Sequence, residues 1–391
     1  MIIALIFISL YTIPSIVIAI LQMMHIKNNT KPVILNEDDF KIALNYALIN
    51  QKYKIIESIL SGILFILWMQ YGISLIYFGD SFLNKLEMVI SFLILNLIIS
   101  LPLEAYKTLV IDKNFGFTKS TPKLFILDFF KNLVLIVFIS LILASALIYI
   151  ISISKFWWLW GFCIVFFFLV IVNILYPILI APIFNKFTPL SDLNLKNSIE
   201  KMMQKVGFES RGIFVMDASK RDGRLNAYFG GLGKSKRVVL FDTLLSKVSK
   251  NELLAILGHE LAHFKHKDLI KNIVLLGVIL FILFFIAGHL SNVFFTNIVE
   301  NEASTIIILI LISPFFMFYF LPLFNYFSRK AEYRADSFGS ALTNKADLAN
   351  ALIKLINENK AFPYSHKLHT FFYMSHPPLL DRLKKLEYRF K

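Results

Sequence analysis

The sequence His259-Glu260-Leu261-Ala262-His263 is followed, seven residues later, by a predominantly apolar run from 270 to 291. On a helix, positions four apart lie on the same face, so both imidazoles can bind one metal ion. An apolar run of about 20 residues is long enough to cross the hydrocarbon core of a bilayer. This stretch therefore predicts a metal-binding helix that ends at a membrane surface.

The rest of the chain is equally apolar. Of its 391 residues, 57% are hydrophobic, whereas soluble globular proteins average about 45–50%. Run length predicts seven membrane spans, at about 1–24, 56–78, 87–106, 132–153, 157–182, 270–291 and 304–327. The first run lacks a charged n-region and a small-residue cleavage site, so we interpret it as a retained helix rather than a signal peptide. The single cysteine, Cys163, excludes an internal disulfide framework.

These spans divide the chain into four predicted parts. Residues 1–182 form the first five transmembrane helices with their cytoplasmic loops, and 183–269 form a catalytic segment with a hairpin and the His259–His263 helix. Residues 270–327 form the last two transmembrane helices, and 328–391 form a C-terminal segment. The fold predicted is mainly α, with a seven-helix membrane region and a cytoplasmic metal domain.

The net charge of +14 is distributed unevenly between the loops. The first, third and fifth loops and the tail are rich in Lys and Arg, whereas the alternate loops contain almost none. The positive-inside rule therefore predicts an external N-terminus and places 183–269 and 328–391 in the cytoplasm. We interpret the basic charge as an orientation signal with attraction to anionic membrane lipid, and not as a nucleic-acid surface.

The five-residue motif has a specific chemistry in zinc proteases. Its glutamate, here Glu260, is the general base that takes a proton from the water on the metal. Ser249 and Glu252 form a predicted capping box at the start of the helix. The alternative is a charged helix at the membrane surface that binds no metal. A catalytic zinc also needs a third protein ligand and an open fourth position.

Glu332 is the predicted third ligand. His263 precedes span six by about seven residues and Glu332 follows span seven by about five, so both lie roughly 8–11 Å beyond the hydrocarbon at about 1.5 Å per residue. Asp336 lies one turn later on the same face, where it is either a hydrogen-bond acceptor for a ligand histidine or a surface ion-pair partner of Arg329 or Arg334.

Two other segments are candidates for contacts with substrate. Residues 225–241 contain two β-rich runs around a glycine turn, which predict a hairpin. In that hairpin Val238, Val239 and Leu240 form a strand that could hold an extended peptide, or simply pack against the metal helix. His376, before two prolines, is a weaker candidate as a hydrogen-bond donor to an oxyanion.

At this point the sequence resembles the type I CAAX prenyl endopeptidases, which are polytopic zinc proteases of C-terminally prenylated proteins. The resemblance covers nearly the whole chain. It is carried by 101–106, 114–117, 176–187, 219–221, Asn226-Ala227-Tyr228-Phe229, 239–244, the His259–His263 motif, Ser328-Arg329 with Glu332 and Asp336, and Ser375-His376-Pro377-Pro378.

The resemblance implies a seven-helix barrel around a water-filled chamber, capped by a zincin-like domain. It implies Zn²⁺ as cofactor, a peptide or protein substrate, and Asn226 and His376 as groups that steady the transition state. Members of the family often have a histidine where Arg224 stands, so the contacts near Asn226 differ here. The short connection between the last two spans is more similar to bacterial members, which favours a bacterial inner membrane.

Two alternatives stay open at this stage. A heat-shock-type membrane protease that removes misfolded proteins shares the motif, but fewer spans are expected for it. A transporter or a zinc-binding membrane scaffold belongs to a different class of function. A transporter is expected to have broken spans in matching halves, and the sequence contains no such repeat.

Overall fold

A computed structural model of the chain describes residues 2–231, 236–294 and 301–389, with the backbone alone for 290–294. The helices are α1 Ile2–Asn28, α2 Glu37–Leu75, α3 Phe82–Asp112, α4 Pro122–Ile153, α5 Trp157–Phe184, α6 Leu193–Val206, α7 Asp242–Leu245, α8 Lys250–Lys265, α9 Asp268–Phe294, α10 Glu302–Leu342, α11 Lys345–Glu358, α12 Lys367–Tyr373 and α13 Leu379–Lys385. The strands are β1 Phe187–Pro189, β2 Ile213–Met216, β3 Ala227–Gly230 and β4 Arg237–Phe241.

Seven of these helices are long and apolar enough to cross a membrane, which confirms the predicted number of spans. They are α1 to α5, α9 and α10; residue 1, where the first predicted span begins, lies outside the described residues. Two of them extend far beyond the predicted limits. Helix α2 begins at Glu37 rather than near 56, and α10 continues to Leu342 rather than 327. The boundary predicted at 327/328 therefore falls inside a continuous helix.

The polar part of the chain contains one small sheet with the strand order β1-β2-β4-β3. Strands β3 and β4 are antiparallel, as the predicted hairpin requires, and the turn at 232–235 lies outside the described residues. Strand β4 pairs with β3 on one side and, in parallel, with β2 on the other. Val238 to Leu240 are therefore in an interior strand and are fully buried.

That position corrects one prediction. Because β4 already pairs with a strand on each side, its backbone has no edge left for a substrate peptide. Among the described residues, the strand at the edge of the sheet nearest the metal-motif helix is β3, which packs against α8. The sheet and the helices α6 and α8 share one apolar core, which includes Ile199, Leu240 and Leu257.

Candidate active site

Helix α8 presents the two histidines of the motif. It begins at a complete capping box, in which the Ser249 side chain accepts from the Glu252 backbone and the Glu252 carboxylate accepts from the Ser249 backbone. No Gly or Pro interrupts the turn between His259 and His263, and their Nε2 atoms lie 3.3 Å apart. The helix thus points both imidazoles at one place, as positions four apart require.

Helix α10 brings Glu332 to the same place. One carboxylate oxygen lies 3.4 Å from His259 Nε2, and the other lies 3.3 Å from His263 Nε2. Glu332 is buried, with 4% of its surface exposed. Within the described residues, these three side chains are the one group of His, Cys, Asp or Glu found at metal-binding separation. The predicted third ligand is therefore brought to the two histidines.

The separations fit a zinc ion. Ligand nitrogens and oxygens bind Zn²⁺ at about 2.0–2.2 Å, so two tetrahedral ligands stand about 3.3–3.4 Å apart. The two imidazole nitrogens and the glutamate oxygens have separations of 3.3, 3.3 and 3.4 Å. Two nitrogens with one carboxylate are also a donor set used by catalytic zinc sites. The residues present therefore fit the ion that the motif predicts.

The outer nitrogen of His259 is held by a carboxylate and an arginine. His259 Nδ1 lies 2.9 Å from Asp336 Oδ1. Arg382 donates two hydrogen bonds to Asp336, at 2.8 and 2.6 Å, and its third nitrogen lies 3.3 Å from Glu332. Asp336 is therefore a buried partner of His259 and does not form the surface ion pair considered as the alternative.

His263 is held in the same way by a second pair. Its Nδ1 lies 3.0 Å from Asp268 Oδ2, and Arg334 donates to the other oxygen of that carboxylate. Sequence reasoning missed both Asp268 and Arg382. The signal for Asp268 was its position five residues after His263, at the start of span six. Each histidine thus has its ring orientation fixed by a carboxylate that an arginine holds in turn.

The electrostatics of the cluster favour positive charge between the imidazoles. Burial lowers the pKa of His259, but hydrogen bonds to Asp336 and Glu332 outweigh burial and raise it to about 9. A cation bound by the two Nε2 atoms meets the Glu332 carboxylate directly, while Asp336 lies on the other side of the His259 ring at Nδ1. Arg382 compensates the charge of Asp336 and approaches one oxygen of Glu332, whose two oxygens also face the imidazole nitrogens.

Glu260 has a different environment from Glu332. Its carboxylate forms no hydrogen bond or ion pair with any residue that the structure describes, and it lines a cavity of about 690 Å³ together with His259 and Glu332. Burial raises the pKa of Glu260, while His259 and His263 oppose that effect. A partnerless carboxylate with a raised pKa beside a metal site is suited to accept a proton.

The other two predicted residues line the same cavity. Asn226 precedes β3, and its side-chain oxygen accepts from the Ala227 backbone at 2.8 Å, while its NH₂ group has no acceptor among the residues that the structure describes. His376 Nε2 lies 3.3 Å from Oε1 of Glu332, which is the oxygen that also faces His263. Ser375 Oγ is 3.0 Å from the other ring nitrogen of His376.

Arg224 lines the same cavity as the metal cluster and contacts α2. It donates to the Tyr46 hydroxyl at 2.7 Å and lies over the Phe117 ring, with 4.4 Å between the guanidinium carbon and the ring centroid. Asn359 fixes the next residue, because its side-chain oxygen accepts from the Leu225 backbone at 2.8 Å. The segment before Asn226 is therefore anchored on both sides.

Comparison with known proteins identifies two matching regions. The family model for Peptidase family M48 matches residues 189–390, which contain the metal cluster. The model for the CAAX prenyl protease N-terminal region, five membrane helices, matches residues 3–186. Together they cover strands β2 to β4, the metal-motif helix and the first five spans.

Relatives and a solved structure match over most of the chain. The human CAAX prenyl protease 1 homolog is 36% identical over 337 residues, which cover 73% of this chain and 70% of that protein. The CAAX prenyl protease 1 homolog of Taenia solium is 33% identical over 324 residues, covering 74% and 68%. The crystal structure of S. mikatae Ste24p superposes with a TM-score of 0.89, 27% identity and 98% of both chains.

The structural match confirms the predicted fold, a membrane chamber of seven helices joined to a protease domain. An enzyme is thus indicated, and not the transporter or scaffold considered as alternatives. The chain belongs to peptidase family M48, carries the CAAX prenyl protease N-terminal region of five membrane helices, and is a multi-pass membrane metalloendopeptidase.

Proposed function

We propose that this chain is a zinc endopeptidase that cleaves membrane-associated, prenylated protein substrates close to the lipid-bearing residue. The observation that carries this proposal is the Glu260 carboxylate, which has no partner among the described residues and lies beside the three-ligand cluster. The names of the relatives, CAAX prenyl protease 1, support prenylated proteins as the substrate class.

His259, His263 and Glu332 are the proposed zinc ligands, since their separations match a tetrahedral site. When bound, Zn²⁺ supplies Lewis acidity toward a carbonyl oxygen and toward water. The two carboxylate–arginine pairs fix the direction of the imidazole nitrogens. Asp336 and Asp268 thereby keep each ring in the tautomer with its unprotonated nitrogen inward.

Glu260 is the proposed general base. It takes a proton from the water that attacks the scissile carbonyl and passes that proton to the leaving amine nitrogen. The carboxylate can do so because no described protein group competes for its oxygens and because burial raises its pKa. General base catalysis of this kind contributes about 10²–10⁴ in rate.

An extended substrate is proposed to lie along β3 and not along β4. Strand β3 is at the edge of the sheet beside α8, and Asn226 stands at its beginning. A peptide added to this edge passes over the Glu260 carboxylate and gains backbone hydrogen bonds. The Asn226 amide and the His376 ring are then placed to donate to the oxygen that becomes negative during attack.

The basic loops support a topology in which the N-terminus is outside and residues 183–269 and 328–391 are cytoplasmic. The short connection between the last two spans supports a bacterial inner membrane. Two reporters fused after Tyr388 test the orientation, one that is active only in the cytoplasm and one that is active only outside it. Activity of the first supports the proposed topology, and activity of the second contradicts it.

Substitution Glu260→Gln tests the catalytic assignment. It keeps the size and hydrogen-bonding shape of the side chain but removes its basicity, so we expect zinc to be retained and hydrolysis of a farnesylated peptide to fall at least about 100-fold. Glu200→Gln, a change on the amphipathic helix α6, is the matched control. Hydrolysis by Glu260→Gln at nearly the wild-type rate, with zinc bound, overturns the assignment.

A further inference from the structure

A second cavity beside β3, of about 490 Å³, lies at the other end of that strand from the cavity of about 690 Å³ described above. Asn226 and Ala227 line the first of these two cavities, whereas Phe229 and Gly230 line the second. Glu260 lines both. A peptide extended along β3 therefore has one cavity on each side of the bond that Glu260 faces.

The apolar part of the second cavity's lining is formed by three phenylalanine rings and by aliphatic side chains. Phe208 packs edge-on against Phe229 and Phe264, with ring centroids 5.0 and 4.5 Å apart. Val206 and Leu269 complete the lining on the apolar side. Among the described residues, the polar part of the lining consists of Glu260, the proposed ligand His263 and three lysines.

Lysines and exposed apolar residues together line the rim of this cavity, a combination that suits the interface between lipid and water. Lys236 lies over the Phe264 ring, 4.2 Å from its centroid, and Lys265 and Lys267 also line the cavity. On one side the lining continues to Leu269 and Ile270 in the first turn of span six, with 39% and 48% of their surface exposed. An apolar chain in the bilayer interface can reach the cavity along this helix.

We propose that this cavity holds the isoprenyl chain carried by the substrate cysteine next to the scissile bond. The inference rests on the proposed function and adds the place where the lipid is recognised. Three features support a lipid over an ordinary side chain: the volume, the three phenylalanine rings of the lining, and the continuity with exposed apolar residues of α9.

Three peptides that differ at one residue test the proposal. That residue is S-farnesylcysteine, leucine or serine, and KM and kcat are measured for each with the full-length enzyme in detergent. We expect KM for the farnesylated peptide to be lower than for the leucine peptide by at least about tenfold, because the longer chain buries more apolar surface. A leucine peptide bound as tightly as the farnesylated one makes the cavity a side-chain pocket and overturns the proposal.

Substitution Leu269→Trp narrows the entrance of the cavity from the lipid side. We expect it to raise the ratio of KM for the farnesylated peptide to KM for the serine peptide by about tenfold. Val278→Trp is the matched control, because Val278 is an exposed apolar residue of the same helix that does not line the cavity. We expect the control to leave that ratio unchanged.

Two results distinguish this inference from the proposed function. If Leu269→Trp leaves the ratio at its wild-type value while Glu260→Gln abolishes hydrolysis, the lipid site is elsewhere and the protease assignment stands. If the wild-type enzyme hydrolyses none of the three peptides with zinc bound, the proposed function is wrong, and the lipid site is overturned with it.

Discussion

Gly339 of α10 lies so close to His259 of α8 that a β-carbon on Gly339 would stand 2.6 Å from the His259 backbone nitrogen. On the opposite helix, a β-carbon on Gly258 would be 3.3 Å from the Gly339 carbonyl oxygen. The two backbones are therefore in direct contact where the helices cross. Glu332 is two turns earlier on α10, so this contact sets the distance between its carboxylate and the imidazoles.

Substitution Gly339→Ala should therefore damage the metal site without changing any of the three ligand side chains. The added methyl group meets backbone and not a movable side chain, so the helices must separate, at a cost of about 1–3 kcal/mol. We expect zinc content and peptide hydrolysis to fall together. Zinc analysis of the purified protein and a hydrolysis assay measure the two effects.

Ser337→Ala, an exposed change in the same helix, is the control for Gly339→Ala. Full zinc occupancy and full activity in Gly339→Ala would mean that the helix crossing does not determine the geometry of the site.

Substitution Asp268→Asn should weaken zinc binding. Its carboxylate lies 3.0 Å from His263 Nδ1 and is one of the two that orient the imidazoles. Loss of such a partner typically lowers metal affinity about 10–100-fold. Competition with a chromogenic chelator measures the affinity, and Asp80→Asn, in an exposed loop between spans, is the control. An unchanged affinity would contradict the role given to Asp268.

The contrast between Glu332 and Asp268 illustrates what sequence reasoning can find. Glu332 was predictable because helix rise alone places it at the height of His263, and the short connection between the spans makes them neighbours. Asp268 and Arg382 carry no motif. Their roles depend on side-chain directions at the meeting of α8, α9, α10 and α13, and these directions follow from tertiary packing.

The hairpin shows a second limit. Local turn signals predicted that β3 and β4 pair, but they do not specify which of the two lies at the sheet edge. That depends on β2, which pairs with β4 from a distant part of the chain. The continuous apolar sequence Val238-Val239-Leu240 was a usable signal, because strands buried on both faces lack alternation.

Substitution Arg382→Met should destabilise the protein as well as the site. Arg382 is buried and forms a forked pair with Asp336 while approaching Glu332. Removing one partner of a buried ion pair costs about 3–5 kcal/mol, because the remaining charge loses its compensation. We expect a clear loss of thermal stability in detergent, which Arg382→Lys recovers only in part since lysine cannot form the fork. Lys384→Met, exposed on the same helix, should have little effect; an equal loss in both variants would contradict the assignment.

Substitution Glu252→Gln should reveal a pH-dependent contribution of the cap of α8. Burial raises the pKa of Glu252, but hydrogen bonds from Ser249 and an ion pair with Lys354 outweigh burial and lower that pKa below its usual value. A lowered folded-state pKa gives stability that is present above the unfolded-state pKa and is lost as the pH falls through the folded-state value.

The difference in unfolding free energy between wild type and Glu252→Gln should therefore be about 1 kcal/mol near neutral pH and shrink below about pH 4. Thermal unfolding of detergent-solubilised protein across this pH range measures it, with the exposed change Glu209→Gln as control. A difference that stays constant down to low pH would show that the stabilising interaction does not require the charge of Glu252. The cap would then act through its shape alone, and the start of the metal-motif helix would be insensitive to acid.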